Sequence, residues 1–215
     1  MTNDSAVHPD LEGFLDDTFF NGVIFLLREP NTGKENKQTE FWFKKRLTGN
    51  YAYNDASMDK VQIRNDKGAC TKYRNRFQAM LTYVFTGSDK ELRHAAYFNL
   101  RPDAGEISRS KEYSERSKDS DYVTNKFNSI VDYCQNRTSG ELTVFTCEEI
   151  FDMLKKCYHI PEQSIKRDGV DYGKRDKMRS LKFKWDEPDH SVTPIMITVY
   201  EIYHPSRSPK LIFEK

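Results

Sequence analysis

The sequence predicts an α+β protein: an N-terminal α/β unit containing an antiparallel hairpin, followed by a C-terminal unit in which helices precede a second hairpin. Three observations predict this. Leu142 to Tyr203 reads as a short apolar strand, a well-signalled helix and two alternating strands. Near the start, the apolar run Val23 to Leu27 is followed, after a loop of turn formers, by the aromatic run Glu40 to Leu47 (EFWFKKRL). Between the two parts, Pro102 to Asp121 offers only Ala104, Ile107 and Tyr113 for burial, the composition of a linker or exposed loop. The expected division is residues 10–101, a linker at 102–120, and a second unit at 121–205.

Composition bounds the class. A chain of 215 residues with 37% hydrophobic and 13% aromatic residues can bury a sizeable core. Its formal net charge of +1 gives no global polyelectrolyte character, so attraction to nucleic acid must come from local patches. The longest purely apolar run, Val23 to Leu27, is far below the roughly 20 residues a membrane helix needs. Met1 to Asp17 carries five carboxylates and no Lys or Arg, the opposite of a secretory leader. The cysteines at 70, 134, 147 and 157 form no Cys-x-x-Cys pair, and the last two are expected on one helix, too far apart to bridge. Reduced thiols and an intracellular location, cytoplasmic or nuclear, are expected.

Taken in order, Asp10 to Phe20 is compatible with a short helix presenting Leu11, Phe14 and Leu15 on one face, and Val23 to Leu27 reads as a buried strand. The loop from Glu29 through Lys34 closes it, and a hairpin with Glu40 to Leu47 is expected. Ala69, Tyr73, Phe77, Met80, Leu81 and Val84 recur at helical steps, predicting a helix from Gly68 to about Phe85. Ser88 and Glu91 have the spacing of a capping box, so LRHAAYFNL reads as a further helix up to Arg101-Pro102. Tyr122, Phe127, Ile130, Val131 and Cys134 give a helix ending near Asn136. Thr146 and Glu149 form a second capping-box pair at the head of a helix whose Ile150, Phe151 and Leu154 share a stripe, with acids early and lysines late. Pro161 lies beyond its end. Strands are expected at Arg179 to Trp185 and Pro194 to Tyr203.

The order helix, strand, capped helix, turn, basic segment, strand, turn, strand over Tyr122 to Tyr203 resembles a winged-helix domain, in which a helix-turn-helix is backed by a two-stranded wing. The resemblance rests on element order, not on a residue motif. It would place a recognition helix within Pro161 to Met178, where Gly169 and Gly173 each cost about 1 kcal/mol relative to Ala and confine any helix to Glu162 to Arg167.

Charge placed near aromatics points to nucleic acid. Lys166, Arg167, Lys174, Arg175, Lys177, Arg179, Lys182 and Lys184 stand against three aspartates in one cluster. Lys44, Lys45, Arg46, Lys60, Arg64, Lys67, Lys72, Arg74 and Arg76 stand against three in another. Such groups neutralise phosphates, and Trp42, Tyr51, Tyr53 or Tyr73 can stack on unpaired bases. The expected binding residues are Lys166, Arg167, Lys174, Arg175, Lys177, Lys182 and Lys184, with Lys44, Lys45, Arg46, Lys72, Arg74 and Arg76 as a second surface or dimerisation unit. Aromatics at these spacings also fill cores, and charge runs also solvate faces.

Chemistry is signalled less. The chain has no HExxH, GxSxG, Walker A or GxGxxG. Glu35-Asn36-Lys37 has the Glu-x-Lys spacing of a nuclease strand without a placed acidic partner. His190 is flanked by Asp189 and Ser191, but adjacent side chains cannot converge as a triad. Cys157 and His159 lack a second pair to complete a zinc site, and His94 reads as a core-edge histidine. The expectation is a regulatory protein that binds DNA or RNA without catalysis, cofactor or metal. The alternative is a protein-interaction adaptor, and third comes a metal-dependent nuclease.

Overall fold

The computed structural model describes residues 13–14, 19–27, 77, 80–81, 84–85, 92–100, 119–138, 140–165, 178–186 and 194–202. Described from end to end are seven strands and two α-helices: β1 (Gly13–Phe14), β2 (Val23–Leu27), β3 (Ala96–Asn99), α1 (Ser120–Gln135), β4 (Leu142–Thr146), α2 (Glu148–Cys157), β5 (Gln163–Ile165), β6 (Met178–Trp185) and β7 (Ile195–Glu201). All seven strands join one mixed sheet in the order β1-β3-β2-β4-β7-β6-β5. Its centre, β3-β2-β4-β7, is parallel, while β1, β6 and β5 add antiparallel edges.

This corrects the expected fold class. An N-terminal antiparallel hairpin built on β2 is ruled out because both edges of β2 are occupied by parallel partners, β3 and β4. The physical reason lies in the run VIFLL, every residue of which is buried. A strand apolar on both faces belongs inside a parallel sheet covered on both sides, whereas a solvated hairpin alternates. The winged-helix unit fails similarly. The β6–β7 hairpin is no free wing, because β7 pairs along its other edge with β4 and β6 with β5. The proposed short helix at Glu162 to Arg167 gives way to β5. Residues Glu40 to Leu47 lie outside the described set, as do the linker residues 102–118.

Three local expectations also change. Gly13–Phe14 is a strand. LRHAAYFNL forms only a one-turn 3-10 helix at Leu92–His94 before β3, since Ala96 to Asn99 pair along β2 and are wholly buried. Thr146 is the last residue of β4, so Cys147 becomes the N-cap of α2 and makes no side-chain capping bond. Strand pairing wins at Thr146 because its carbonyl accepts the Ile202 amide at 2.7 Å. The remaining elements agree with expectation: α1, β4, the body of α2, β6 and β7 appear where the periodicity puts them, and Phe77, Met80, Leu81 and Val84 are helical.

Two apolar layers sandwich the sheet. On one face Ile24, Leu26, Phe98, Val144, Ile197, Val199 and Leu181 pack under α1 (Val123, Phe127, Ile130, Val131, Cys134) and α2 (Ile150, Phe151, Leu154). On the other, Val23, Phe25, Leu27, Tyr97 and Phe145 meet Phe77, Met80 and Leu81. In-register neighbours on parallel strands share a face, so Tyr97, Phe25, Phe145 and Tyr200 form one row across all four central strands. Phe25 and Phe145 stack at 5.2 Å, Phe145 and Tyr200 at 5.6 Å, and Phe77 meets Phe25 edge-on at 4.4 Å. Gly22, at φ 81°, turns the chain into β2, a conformation that costs a side-chain-bearing residue.

Candidate functional site

The chain leaves β2 to form β3 on one side, then returns past β2 to form β4 on the other. That reversal is a topological switch point, and in open parallel sheets the crevice beyond the carboxyl ends of such strands is where ligands bind. The four central strands end there in Leu27, Asn99, Thr146 and Glu201. Three of these four are polar and buried: Asn99 and Thr146 at 0% exposure and Glu201 at 5%. Burying polar groups in succession along one edge is costly unless each is used.

The side chains divide between the two faces. Asn99 follows the aromatic row, and its Oδ1 accepts the Tyr97 hydroxyl at 3.0 Å, which orients the carboxamide. Thr146 and Glu201 are register partners and point to the face covered by α2. The Thr146 Oγ1 is buried with no hydrogen-bond partner among the described residues. Replacing Thr146 by the near-isosteric valine removes this orphan, and Thr146→Val is expected to stabilise the free protein by up to about 1 kcal/mol in urea denaturation. A loss of stability instead would mean that the hydroxyl is satisfied in solution.

Glu201 is held by Arg179, whose Nη1 lies 3.2 Å from its Oε2. Arg179 also binds Asp152 through Nη2 and Glu162 through Nε at 3.0 Å, lies 3.9 Å from Glu148, and covers the Phe151 ring at 4.6 Å. Burial works to lower the arginine's pKa, but the hydrogen bond to Asp152 and the charges of Glu201, Asp152 and Glu162 outweigh it and push it up. Glu162 is held below the usual glutamate range, foremost by its 2.7 Å bond from Lys155 Nζ and also by Arg179. This guanidinium, counted in the basic cluster from its sequence, is thus committed to carboxylates.

The helices starting at this edge carry carboxylates too. Asp119 caps α1, its Oδ1 accepting the amides of Asp121 and Tyr122 at 3.0 and 3.2 Å, and α2 opens with Glu148 and Glu149. A helix N-terminus otherwise attracts anions; here the chain's own acids fill that role. The N-termini of α1 and α2 are therefore already compensated by carboxylates of this chain.

Of the expected binding residues, only Lys182 and Lys184 fall among those described. Both are exposed on β6, facing away from α1 and α2. Strand β6 starts at the carboxyl edge with Met178 and runs to the opposite edge at Trp185, so Lys182 and Lys184 stand roughly 13 and 20 Å along it from that edge. Lys182 reaches Glu141 at 3.7 Å, an exposed contact worth little. The other eleven, Lys44, Lys45, Arg46, Lys72, Arg74, Arg76, Lys166, Arg167, Lys174, Arg175 and Lys177, lie outside the described residues, as do Glu35, Lys37 and His190. Their points of attachment are described, however. Residues 28–76 follow Leu27, residues 101–118 follow Leu100, residues 203–215 follow Ile202, and residues 166–177 span Ile165 to Met178, which pair at the same edge.

Asn99, Thr146 and Glu201 were not singled out by sequence reasoning. The signal that would have found them is positional: each is the polar residue closing an apolar strand (AYFN, LTVFT, IMITVYE). His94 meets Phe19 edge-on at 4.9 Å, before the amino end of β3, remote from this edge. Among the described residues no group of His, Cys, Asp or Glu has the arrangement to hold a metal ion, and no helix is long and apolar enough to cross a membrane. Comparison with protein-family models, with curated proteins and with solved structures finds no match.

Proposed function

We propose that this protein binds nucleic acid, with a preference for unpaired strands, across the carboxyl edge of its parallel sheet. One observation carries the reading. The four segments attached at that edge, residues 28–76, 101–118, 166–177 and 203–215, contain 25 Lys and Arg against 14 Asp and Glu, in a chain whose total charge is only +1. The remainder contains nine against 19. What supports it is where these segments leave the sheet: 28–76 follows Leu27 and 166–177 follows Ile165, both at the carboxyl edge.

Within those segments Lys44, Lys45, Arg46, Lys72, Arg74, Arg76, Lys166, Arg167, Lys174, Arg175 and Lys177 are the phosphate contacts of this reading, and Trp42, Tyr51, Tyr53 and Tyr73 the stacking groups. Stacking needs an exposed base face, hence the preference for single strands. Lys182 and Lys184, nearer the opposite edge, contribute to the field more than to contacts. Binding is the function; no chemical step is assigned.

Fluorescence anisotropy of labelled single-stranded and duplex oligonucleotides across a salt series tests it. Single strands are expected to bind more tightly, with log K falling by about 0.7 per tenfold salt for each neutralised phosphate. The Lys174→Ala, Arg175→Ala double variant is expected to flatten that slope by about 1.4. Absence of binding to either probe at low salt would transfer the reading to the adaptor alternative, in which the same edge grips a polypeptide.

A further inference from the structure

Strand β5 is lightly anchored. It contributes three residues, Gln163, Ser164 and Ile165, paired with Ser180, Arg179 and Met178, and β6 is its one neighbour among the described strands. Gln163 and Ser164 are exposed, and their side chains make no hydrogen bond among the described residues. Three ladder pairs with so little burial are a small hold. The chain around them is fixed better. Ile160 is buried and its amide donates to the Lys155 carbonyl at 3.2 Å, while Met178 and Ser180 of β6 are buried and Ser180 to Trp185 pair with β7.

What adds to the hold is ionic. Extending the β6–β7 register by one pair sets Arg179 opposite Glu201, and the β5–β6 register sets Glu162 diagonal to Arg179, so all three share the face covered by α2. Arg179 Nε donates to Glu162 Oε1 at 3.0 Å, Nη2 donates to Asp152, and Nη1 lies 3.2 Å from Glu201 and 3.9 Å from Glu148. The other oxygen of Glu162 accepts from Lys155 Nζ at 2.7 Å. Both cations therefore reach the β5 end through one carboxylate.

We infer that β5 is a strap that opens and closes at the edge of the sheet without the sheet unfolding, and that Glu162 is the latch that fastens it. Opening gives up three ladder pairs and the two contacts of Glu162, whereas Arg179 keeps Asp152 and the buried Glu201. The costly buried charge pair is thus untouched when the edge moves. This property belongs to the fold and holds whatever the carboxyl edge binds.

Hydrogen exchange of the full chain at neutral pH, read by mass spectrometry on peptides from β5 and β4, tests the strap. In the wild type β5 is expected to exchange at least about tenfold faster than β4, and Glu162→Gln to speed β5 about fivefold further with β4 unchanged. Glu141→Gln, which cuts the exposed contact with Lys182, is the control and should change neither. Wild-type β5 as slow as β4 would mean that it opens only with the whole sheet, which overturns the strap. Unchanged β5 exchange in Glu162→Gln would overturn the latch, as would equal acceleration of β5 and β4, the mark of a purely global effect. Should Glu162→Gln not fold, Lys155→Met removes one of the two pairs and is expected to speed β5 about twofold, no change there refuting the latch.

Discussion

Phe145→Ala is expected to cost about 3–5 kcal/mol of stability, because it empties the centre of the sheet's aromatic face. Phe145 is fully buried on β4, with β2 on one side and β7 on the other. Its ring is the middle of the aromatic row, stacked on Phe25 at 5.2 Å and on Tyr200 at 5.6 Å. Truncation removes the transfer energy of the ring and leaves a cavity that flanking strands in register cannot collapse into without breaking their ladders. In a domain of this size the melting temperature should fall by about 10 °C or more. Phe145→Leu, which keeps much of the volume, should lose roughly 1–2 kcal/mol. A calorimetric loss below about 1 kcal/mol for the alanine variant would show that the row is not a closed core.

The second large effect is expected at Asn128. This α1 side chain places Oδ1 where it accepts both the Tyr158 hydroxyl, at the C-cap of α2, and the Trp185 Nε1 at 2.9 Å, at the end of β6. One acceptor thereby ties both helices to the sheet. The surroundings are apolar: Trp185 is 4% exposed, and Tyr158 stacks on Phe183 at 5.0 Å. Burial foremost, with the neighbouring Cys157, pushes the Tyr158 phenol well above its ordinary value, so it remains a donor throughout the neutral range. Asn128→Ala orphans two donors at once and is expected to cost about 2–4 kcal/mol in urea denaturation, with a red-shifted Trp185 emission. Asn128→Asp keeps the acceptor and should recover part of that loss. Equal losses in the two variants would show that packing, and not these two bonds, matters at this position.

Phe145 and Asn128 maintain the platform, whereas at the carboxyl edge Asn99 and Glu201 are buried with polar partners and Thr146 buries a hydroxyl that has none among the described residues. Arg179, which composition counts among the basic residues, is withdrawn into structure by its contacts with Asp152, Glu162 and Glu201.

Much of the secondary structure was legible because its causes are local. The stripe Val123, Phe127, Ile130, Val131, Cys134 repeats every three or four residues, and such a pattern has one helical solution whatever it packs against. The alternation of β6 and β7 and their separation by a turn-forming run specify an antiparallel pair in the same way. Where local signals misled, a distant partner had overruled them. Ser88 and Glu91 have capping-box spacing, yet Ala96 to Asn99 gain more by pairing along Val23 to Leu27 some seventy residues earlier in the chain. Thr146 could cap a helix, yet it is held in the sheet by Glu201 and Ile202.

The residues at the carboxyl edge were not legible, because no motif links Asn99, Thr146 and Glu201, which come from three strands spread over about a hundred residues. Read alone, the chain specified its helices, its apolar strands and its cationic segments, because propensity, periodicity and charge are properties of neighbouring residues. Which strands lie side by side, and therefore which polar residues end at a common edge, was settled by the tertiary structure. A parallel sheet is assembled from contacts remote in sequence, and their pairing energy leaves no local trace.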